Sequence, residues 1–149
     1  MDIEQQEIET VALIEESEAD LHIDYGGDIG KQVADQMEIF VKWAKRLKQS
    51  SYALNLHNIK GEKLSADLWI YYTGKADPQV YRDRPMDNRF LKSEVKEAIN
   101  ADELMMKHKI KGMLLAEKVK TLEMIVQQIK DRGWALKNIT EWKKFMSGD

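Results

Sequence analysis

Cysteine is absent from this 149-residue chain, and proline and glycine are scarce, at 2 and 8 residues. Without cysteine there are no disulfides, thiolate metal ligands or cysteine nucleophiles, which suits a reducing compartment. So few turn-forming residues argue against an all-β chain. No apolar run approaches the roughly 18 residues that a membrane-spanning helix needs, and no basic stretch precedes an apolar one as in a secretory signal.

Basic residues are missing from the start of the chain, although the whole carries 23 basic and 26 acidic side chains. Residues 1–30 contain ten acidic side chains and no Lys or Arg, which leaves a net charge of +7 on the remainder. Paired glycines at 26 and 27 lower the cost of a turn. We therefore predict an acidic segment, residues 1–28, that is flexible or a short helix, and a helical domain over residues 29–149.

Two long helices are predicted from apolar side chains that recur at alternating steps of three and four residues. The first pattern ends at Gly74, a candidate C-cap, and the second runs over about 102–132 and is predicted to end at Gly133. Between them lies a loop with both prolines, followed by a short helix with Asp87 as candidate N-cap. The first series comprises Val33, Met37, Phe40, Ala44, Leu47, Ser51 and Leu54, and the second Leu115, Val119, Leu122, Val126 and Ile129.

These patterns predict an all-α, coiled-coil-like fold of long antiparallel amphipathic helices with short helices, including a last one over about 139–147. Narrow apolar stripes on long helices favour an oligomeric assembly. A monomeric helical hairpin or bundle is the alternative.

Motifs for catalysis or metal binding are missing. The glycines near Gly26 do not form a phosphate-binding loop, and the three histidines have no metal-ligand spacing. His108, between two lysines, and the carboxylate pair Asp102-Glu103 are interpreted as surface groups. We therefore predict no catalytic residue, no metal site and no cofactor.

A stretch of aromatic and basic residues in the middle of the chain is typical of single-stranded nucleic-acid binding. Cations follow the phosphates, and aromatic rings stack on bases. The alternative is that the aromatic rings belong to the core and the cations form a solvated rim. The predicted DNA-contacting set is Lys60, Lys63, Tyr71, Tyr72, Lys75, Tyr81, Arg82 and Arg84.

The C-terminal segment is rich in large apolar side chains that need burial, either in the chain's own core or on a neighbouring subunit. These residues are Trp134, Ile139, Trp142, Phe145 and Met146.

Three segments resemble the UvsY family of phage recombination mediators. Residues 127–145 resemble its C-terminal signature, residues 91–96 with Ala101-Asp102 its middle segment, and residues 71–75 its aromatic-Gly-basic turn. The resemblance extends over about residues 25–149.

The resemblance implies a non-enzymatic mediator that acts in the host cell cytoplasm during phage infection. It would bind single-stranded DNA as a homo-oligomer, a hexamer or heptamer, and help to load a RecA-like recombinase onto DNA coated by single-strand-binding protein. It also implies that the C-terminal apolar residues support oligomerisation.

The chain departs from the family where a Lys-x-Arg pattern precedes the tyrosine pair, because residues 65–68 contain no cation. The DNA-contacting set therefore depends on charge and aromatic neighbours. The alternative function is a helical oligomeric scaffold that binds only protein partners. For the acidic segment we consider competition with DNA, docking on a basic partner, or a solvated tail.

Overall fold

The computed structural model describes residues 3–148, and over that range the chain forms five helices and no strands. The predicted all-α fold is confirmed. The helices are α1 (Ile3–Leu21), α2 (Ile29–Tyr72), α3 (Pro78–Asp83), α4 (Lys92–Ala101) and α5 (Glu103–Ser147). The chain packs as two units: unit 1 holds the residues up to Tyr52 and from Leu114 onward, and unit 2 holds Ala53–Met113.

The core of unit 1 is centred on Trp43, which is completely buried. Around its ring lie apolar side chains of α5, namely Leu122, Ile125, Val126 and Ile129, and partly buried ones of α1 and α2. Gln36 of α2 donates to the Ile129 carbonyl at 2.6 Å, and Arg132 donates to the Gln36 amide oxygen at 2.7 Å. These two hydrogen bonds fix the level at which α2 and α5 meet.

Helix α1 is attached to α2 by ion pairs. Asp20 contacts the Lys42 ammonium and accepts a hydrogen bond from Trp43 Nε1 at 2.8 Å. Glu16 pairs with Arg46 through two hydrogen bonds, at 2.7 and 3.0 Å. Within the acidic segment, Ile3–Leu21 thus form a helix of 19 residues. The division of the chain at residue 28 stays a prediction.

In unit 2 the two long helices run antiparallel, since His57 contacts His108 while Tyr72 contacts Asp102. Helix α2 ends where Gly74 adopts φ +77°. The Gly74 N–H donates to the Tyr71 carbonyl and the Lys75 N–H to the Ile70 carbonyl. These two bonds form a Schellman motif, which requires a residue with positive φ at this position. The predicted glycine cap is therefore confirmed.

Predictions about helix ends are wrong in two places. Gly133 does not end a helix, and residues 139–147 are not a separate last helix: α5 continues to Ser147, because one glycine costs only about 1 kcal/mol and the Gln36 side chain packs closely over it. Asp87 is not an N-cap, since α4 begins at Lys92 and the Glu94 carboxylate accepts from the Leu91 N–H.

The first residues of the predicted apolar series on α2, Val33 and Met37, are exposed in the protomer, so their place in an oligomer seam stays a prediction. Trp43, which that series omits, takes the central place in the core instead.

Candidate nucleic-acid interface

The two tyrosines predicted to stack on bases lie in the core of unit 2. Tyr71 and Tyr72 are only 5% and 9% exposed. Their rings meet edge to face at 5.0 Å, and Tyr72 packs in the same way against Phe90 at 5.3 Å. A buried ring offers no face to a base, so both leave the DNA-contacting set. The alternative interpretation, that aromatic residues here belong to the core, describes them correctly.

The Tyr72 hydroxyl can be buried because a buried carboxylate supplies its hydrogen-bond acceptor. Asp102 Oδ2 accepts from that hydroxyl and from Arg84 Nη2, both at 2.6 Å, while Oδ1 accepts from the Leu104 N–H at 2.9 Å. Burial, followed by the hydrogen bond to Asp102, raises the pKa of Tyr72 to about 12. The surface location predicted for Asp102 is therefore wrong: it is an interior group that caps α5.

Tyr81 and Arg84 attach the proline-containing loop to the end of α2. The Tyr81 hydroxyl donates to the Tyr71 carbonyl at 2.7 Å and accepts from the Ala76 N–H at 3.2 Å, and its ring stacks on Tyr71. The Arg84 guanidinium lies 4.9 Å from the centre of the Tyr71 ring, and the Arg84 carbonyl accepts from the Tyr71 hydroxyl. Both side chains therefore have structural partners within unit 2.

The other four predicted cations remain exposed. Lys60 and Lys63 lie three residues apart on α2, Lys75 follows its C-cap, and Arg82 is on α3. Among the described residues the three lysines make no ion pair, and Arg82 donates one long hydrogen bond, to Gln79 at 3.4 Å. These four are the members of the predicted set that are free to meet phosphates.

One exposed aromatic side chain of unit 2 is missing from the predicted set. Trp69 is 42% exposed, with Ile70 beside it at 43%. Trp69 lies off the apolar series that includes Leu68, and that offset is the sequence signal that distinguishes it from the buried tyrosines. Its ring has the exposure that base stacking needs.

A second group of exposed cations lies on α5. Lys107, Lys109 and Lys111 are all exposed, although Lys107 pairs with Glu103 at 3.2 Å and Lys109 donates to Asn100. The sequence analysis noted Lys107 and Lys109 only as neighbours of His108, and it did not single out Lys111. Lys107 and Lys111, four residues apart, lie on one side of the helix and Lys109 lies on the other, so the three do not form one line.

His108 is not the solvated side chain that the sequence suggested. Its ring stacks on His57 with 3.7 Å between centroids, and His57 Nε2 donates to the His108 carbonyl at 2.8 Å. Glycines make room for the pair: a methyl group on Gly61 would lie 2.5 Å from His108 Nε2, and one on Gly112 would lie 3.2 Å from the His57 ring.

Acidification is expected to destabilise unit 2 through this histidine pair. Burial, followed by the charges of His57 and Lys111, lowers the pKa of His108 below 6.5. A lowered folded-state pKa means that the unfolded chain binds the proton more readily, so stability falls as the pH drops from about 6.5 toward the folded-state pKa. Urea unfolding at pH 7.5 and 5.5, followed by helical circular dichroism, measures this loss.

The matched variants for this prediction are His108→Gln and His22→Gln. The first should lose most of the pH dependence between those two values, and the second should keep it. Equal pH dependence in wild type and His108→Gln would contradict the prediction.

The C-terminal apolar side chains find little cover in the protomer. Trp134, Trp142, Phe145 and Met146 are between 62% and 75% exposed, and Ile139 is partly buried. Trp142 and Phe145 lie 6.0 Å apart, centroid to centroid. Of the two alternatives for this segment, burial in the chain's own core therefore accounts for little of its apolar surface.

No group of three or more potential metal ligands converges within residues 3–148. Across the same residues, no helix combines the length and the apolar character needed to cross a membrane.

Comparison with known proteins gives one family and one fold. The model of a family described as "Recombination, repair and ssDNA binding protein UvsY" matches residues 16–149. No sequence among curated proteins matches the chain.

Among solved structures, the bacteriophage T4 recombination mediator protein UvsY has a similar fold in several crystal forms. In one form the TM-score is 0.77 at 22% identity, covering 99% of this chain and 98% of that chain. In another it is 0.74 at 18% identity, covering 92% and 98%. At these identities the likeness shows a shared arrangement of helices.

Proposed function

This chain belongs to the UvsY family of recombination, repair and single-stranded-DNA-binding proteins, and we propose that it is a recombination mediator. In this role it binds single-stranded DNA and helps to load a RecA-like phage recombinase onto DNA coated by single-strand-binding protein, in the host cytoplasm during infection. The observation that carries the proposal is the family match over residues 16–149. The mediator works by binding alone, without catalysis or a cofactor.

The proposed DNA contact uses the exposed members of the predicted set. Lys60, Lys63, Lys75 and Arg82 supply positive charge to the phosphates, and Trp69 replaces the buried tyrosines as the stacking ring. Each stacked base contributes about 1–3 kcal/mol, and stacking accepts any base. The set therefore fits binding that does not depend on sequence.

Assembly into a homo-oligomer, a hexamer or heptamer, is part of the proposal. Four cations per protomer give weak binding, because the electrostatic contribution grows with the number of phosphates neutralised. Several linked copies convert weak sites into strong overall binding through effective concentration. The exposed apolar residues Trp134, Trp142, Phe145 and Met146, with Ile139, are the candidate oligomer contacts.

Removing three lysines together is expected to weaken binding of single-stranded DNA at least tenfold. The variant is Lys60→Ala, Lys63→Ala and Lys75→Ala. If each lysine neutralises one phosphate, the slope of log K against log salt should become shallower by about 0.7 for each one. Fluorescence anisotropy with a labelled oligonucleotide, titrated at three salt concentrations, measures both quantities.

The matched control removes the same charge from exposed lysines of unit 1: Lys31→Ala, Lys45→Ala and Lys48→Ala. It should keep most of the affinity and the slope. Equal losses in the two triple variants would indicate a general charge effect and reject this contact set.

A scaffold that binds only protein partners is the second candidate function. The burial of Tyr71 and Tyr72 favours the scaffold, because two of the three tyrosines in the predicted set are then unavailable to DNA. The third, Tyr81, stacks on Tyr71. The same anisotropy experiment separates the two functions: absence of DNA binding at low salt favours the scaffold.

A further inference from the structure

Helix α1 uses only one side to pack on the rest of unit 1, and its other side stays open. We call the open side the outer face of α1. Ile8 and Val11 are 68% and 48% exposed there, in the middle of an acidic surface. The acidic side chains of this face make no ion pair among the described residues, unlike Glu16 and Asp20 on the packed side. The outer face consists of Glu4, Glu7, Ile8, Val11, Glu15 and Glu18.

The last five turns of α5 carry a face of the opposite character, which we call the terminal face. Three exposed rings lie on it, beside lysines that recur every seventh residue and therefore lie along one side of the helix. Lys137 lies 5.2 Å from the centre of the Trp134 ring. The terminal face consists of Trp134, Trp142 and Phe145 with Lys130, Lys137 and Lys144, and one exposed acidic side chain, Glu141, lies among them.

The two faces complement each other in length, polarity and charge. Fourteen residues separate Glu4 from Glu18, and fourteen separate Lys130 from Lys144. At 1.5 Å per residue both faces are about 21 Å long. Each face combines apolar side chains with charges that are mainly of one sign, negative on α1 and positive on α5. Contact between them would bury exposed apolar area and pair most of these charges.

We propose that the terminal face of one protomer docks on the outer face of α1 of a second copy. This inference rests on the proposed homo-oligomer and identifies the surface that receives its C-terminal contacts. Because the two faces differ, the interface is heterologous: a bound pair of copies still offers one free face of each kind. Repetition of such a contact forms a ring when the rotation closes. The geometry therefore gives the acidic segment a role in assembly.

A charge-exchange experiment tests the contact. The acidic-face variant is Glu7→Lys with Glu15→Lys, and the terminal-face variant is Lys137→Glu with Lys144→Glu. Each pair should raise the protein concentration needed for half-maximal assembly at least tenfold, as followed by sedimentation velocity. All four substitutions in one chain restore opposite charges across the interface, so they should return that concentration to within threefold of wild type.

The control variant is Glu97→Lys with Glu123→Lys, which reverses two exposed acids outside both faces and should assemble like wild type. Circular dichroism confirms that every variant keeps its helices. Unchanged assembly in either two-site variant overturns the inference, as does a four-site variant no better than the two-site ones. A wild-type chain that sediments at 17.3 kDa at micromolar concentration instead overturns the proposed oligomer itself.

Cross-linking gives a second test that does not depend on charge, because the chain has no cysteine of its own. Single variants Ala12→Cys and Asn138→Cys place one thiol beside each face. A bismaleimide should link the two variants when they are mixed, and it should link neither variant to itself. Linkage only within one variant would indicate a symmetric contact and overturn the heterologous arrangement.

Discussion

Replacing Trp43 with alanine is expected to lower the free energy of unfolding by about 3–5 kcal/mol. The ring is completely buried among Leu122, Ile125 and Ile129, so its removal leaves a cavity that these side chains fill only in part. Its Nε1 also donates to Asp20. The loss therefore includes part of the attachment of α1. Urea unfolding followed by far-ultraviolet circular dichroism measures the change.

Trp69→Ala is the matched control for this substitution, because the same residue type is 42% exposed there. It should cost less than about 1 kcal/mol, as surface substitutions usually do. Trp43→Phe should fall between the two, because it keeps a ring but loses the hydrogen bond. Similar losses for Trp43→Ala and Trp69→Ala would contradict the core assignment.

Replacing Asp102 with alanine is expected to destabilise unit 2 by about 3 kcal/mol, since each hydrogen bond to a charged group contributes about 1.5–3 kcal/mol. The Tyr72 hydroxyl and the Leu104 N–H lose their acceptor, while Arg84, whose side chain is 42% exposed, regains water. Tyr72→Phe is the matched control. It removes a single donor from the same carboxylate and should cost less than half as much. A larger loss for Tyr72→Phe would assign the stability to that hydroxyl instead.

The same carboxylate makes unit 2 sensitive to acid. Burial alone would raise the pKa of Asp102, but the hydrogen bonds from Tyr72, Arg84 and Leu104 outweigh it and hold the pKa below its usual value. Its contribution is therefore complete above the unfolded pKa of about 3.9 and is lost as the pH falls through the lower folded-state value. Asp102→Asn should remove this part of the acid sensitivity.

The sequence predicts the long helices well because their signals are local. Apolar side chains spaced by three and four residues act within a few turns of the chain. A glycine at a position that needs positive φ also acts without distant residues. Gly74 shows this most clearly, since its cap is formed entirely by residues 70–75. Gly133 shows the limit. Its effect on the helix depends on Gln36 of α2, which lies almost a hundred residues earlier in the chain.

Which side chains of the predicted DNA-contacting set are exposed could be predicted only in part, because aromatic residues between cations have the same pattern in a nucleic-acid site and in a loop that folds back. The difference depends on Asp102, thirty residues after Tyr72, which supplies the buried acceptor for its hydroxyl. The exposure of the lysines was easier to predict, because an ammonium group without a buried partner stays in solvent. Trp69 was identifiable only by its position relative to the apolar series.

The ion pairs between α1 and α2 have a consequence for shortened versions of the protein. A fragment that begins at Ile29 loses Glu16 and Asp20, and so exposes Lys42, Arg46 and the indole of Trp43 to solvent. It gains two free cations beside an aromatic ring, the same chemistry that holds single-stranded DNA. Tighter DNA binding by such a fragment would then report a newly uncovered surface, and point mutations in the full-length chain are the safer way to map the natural one.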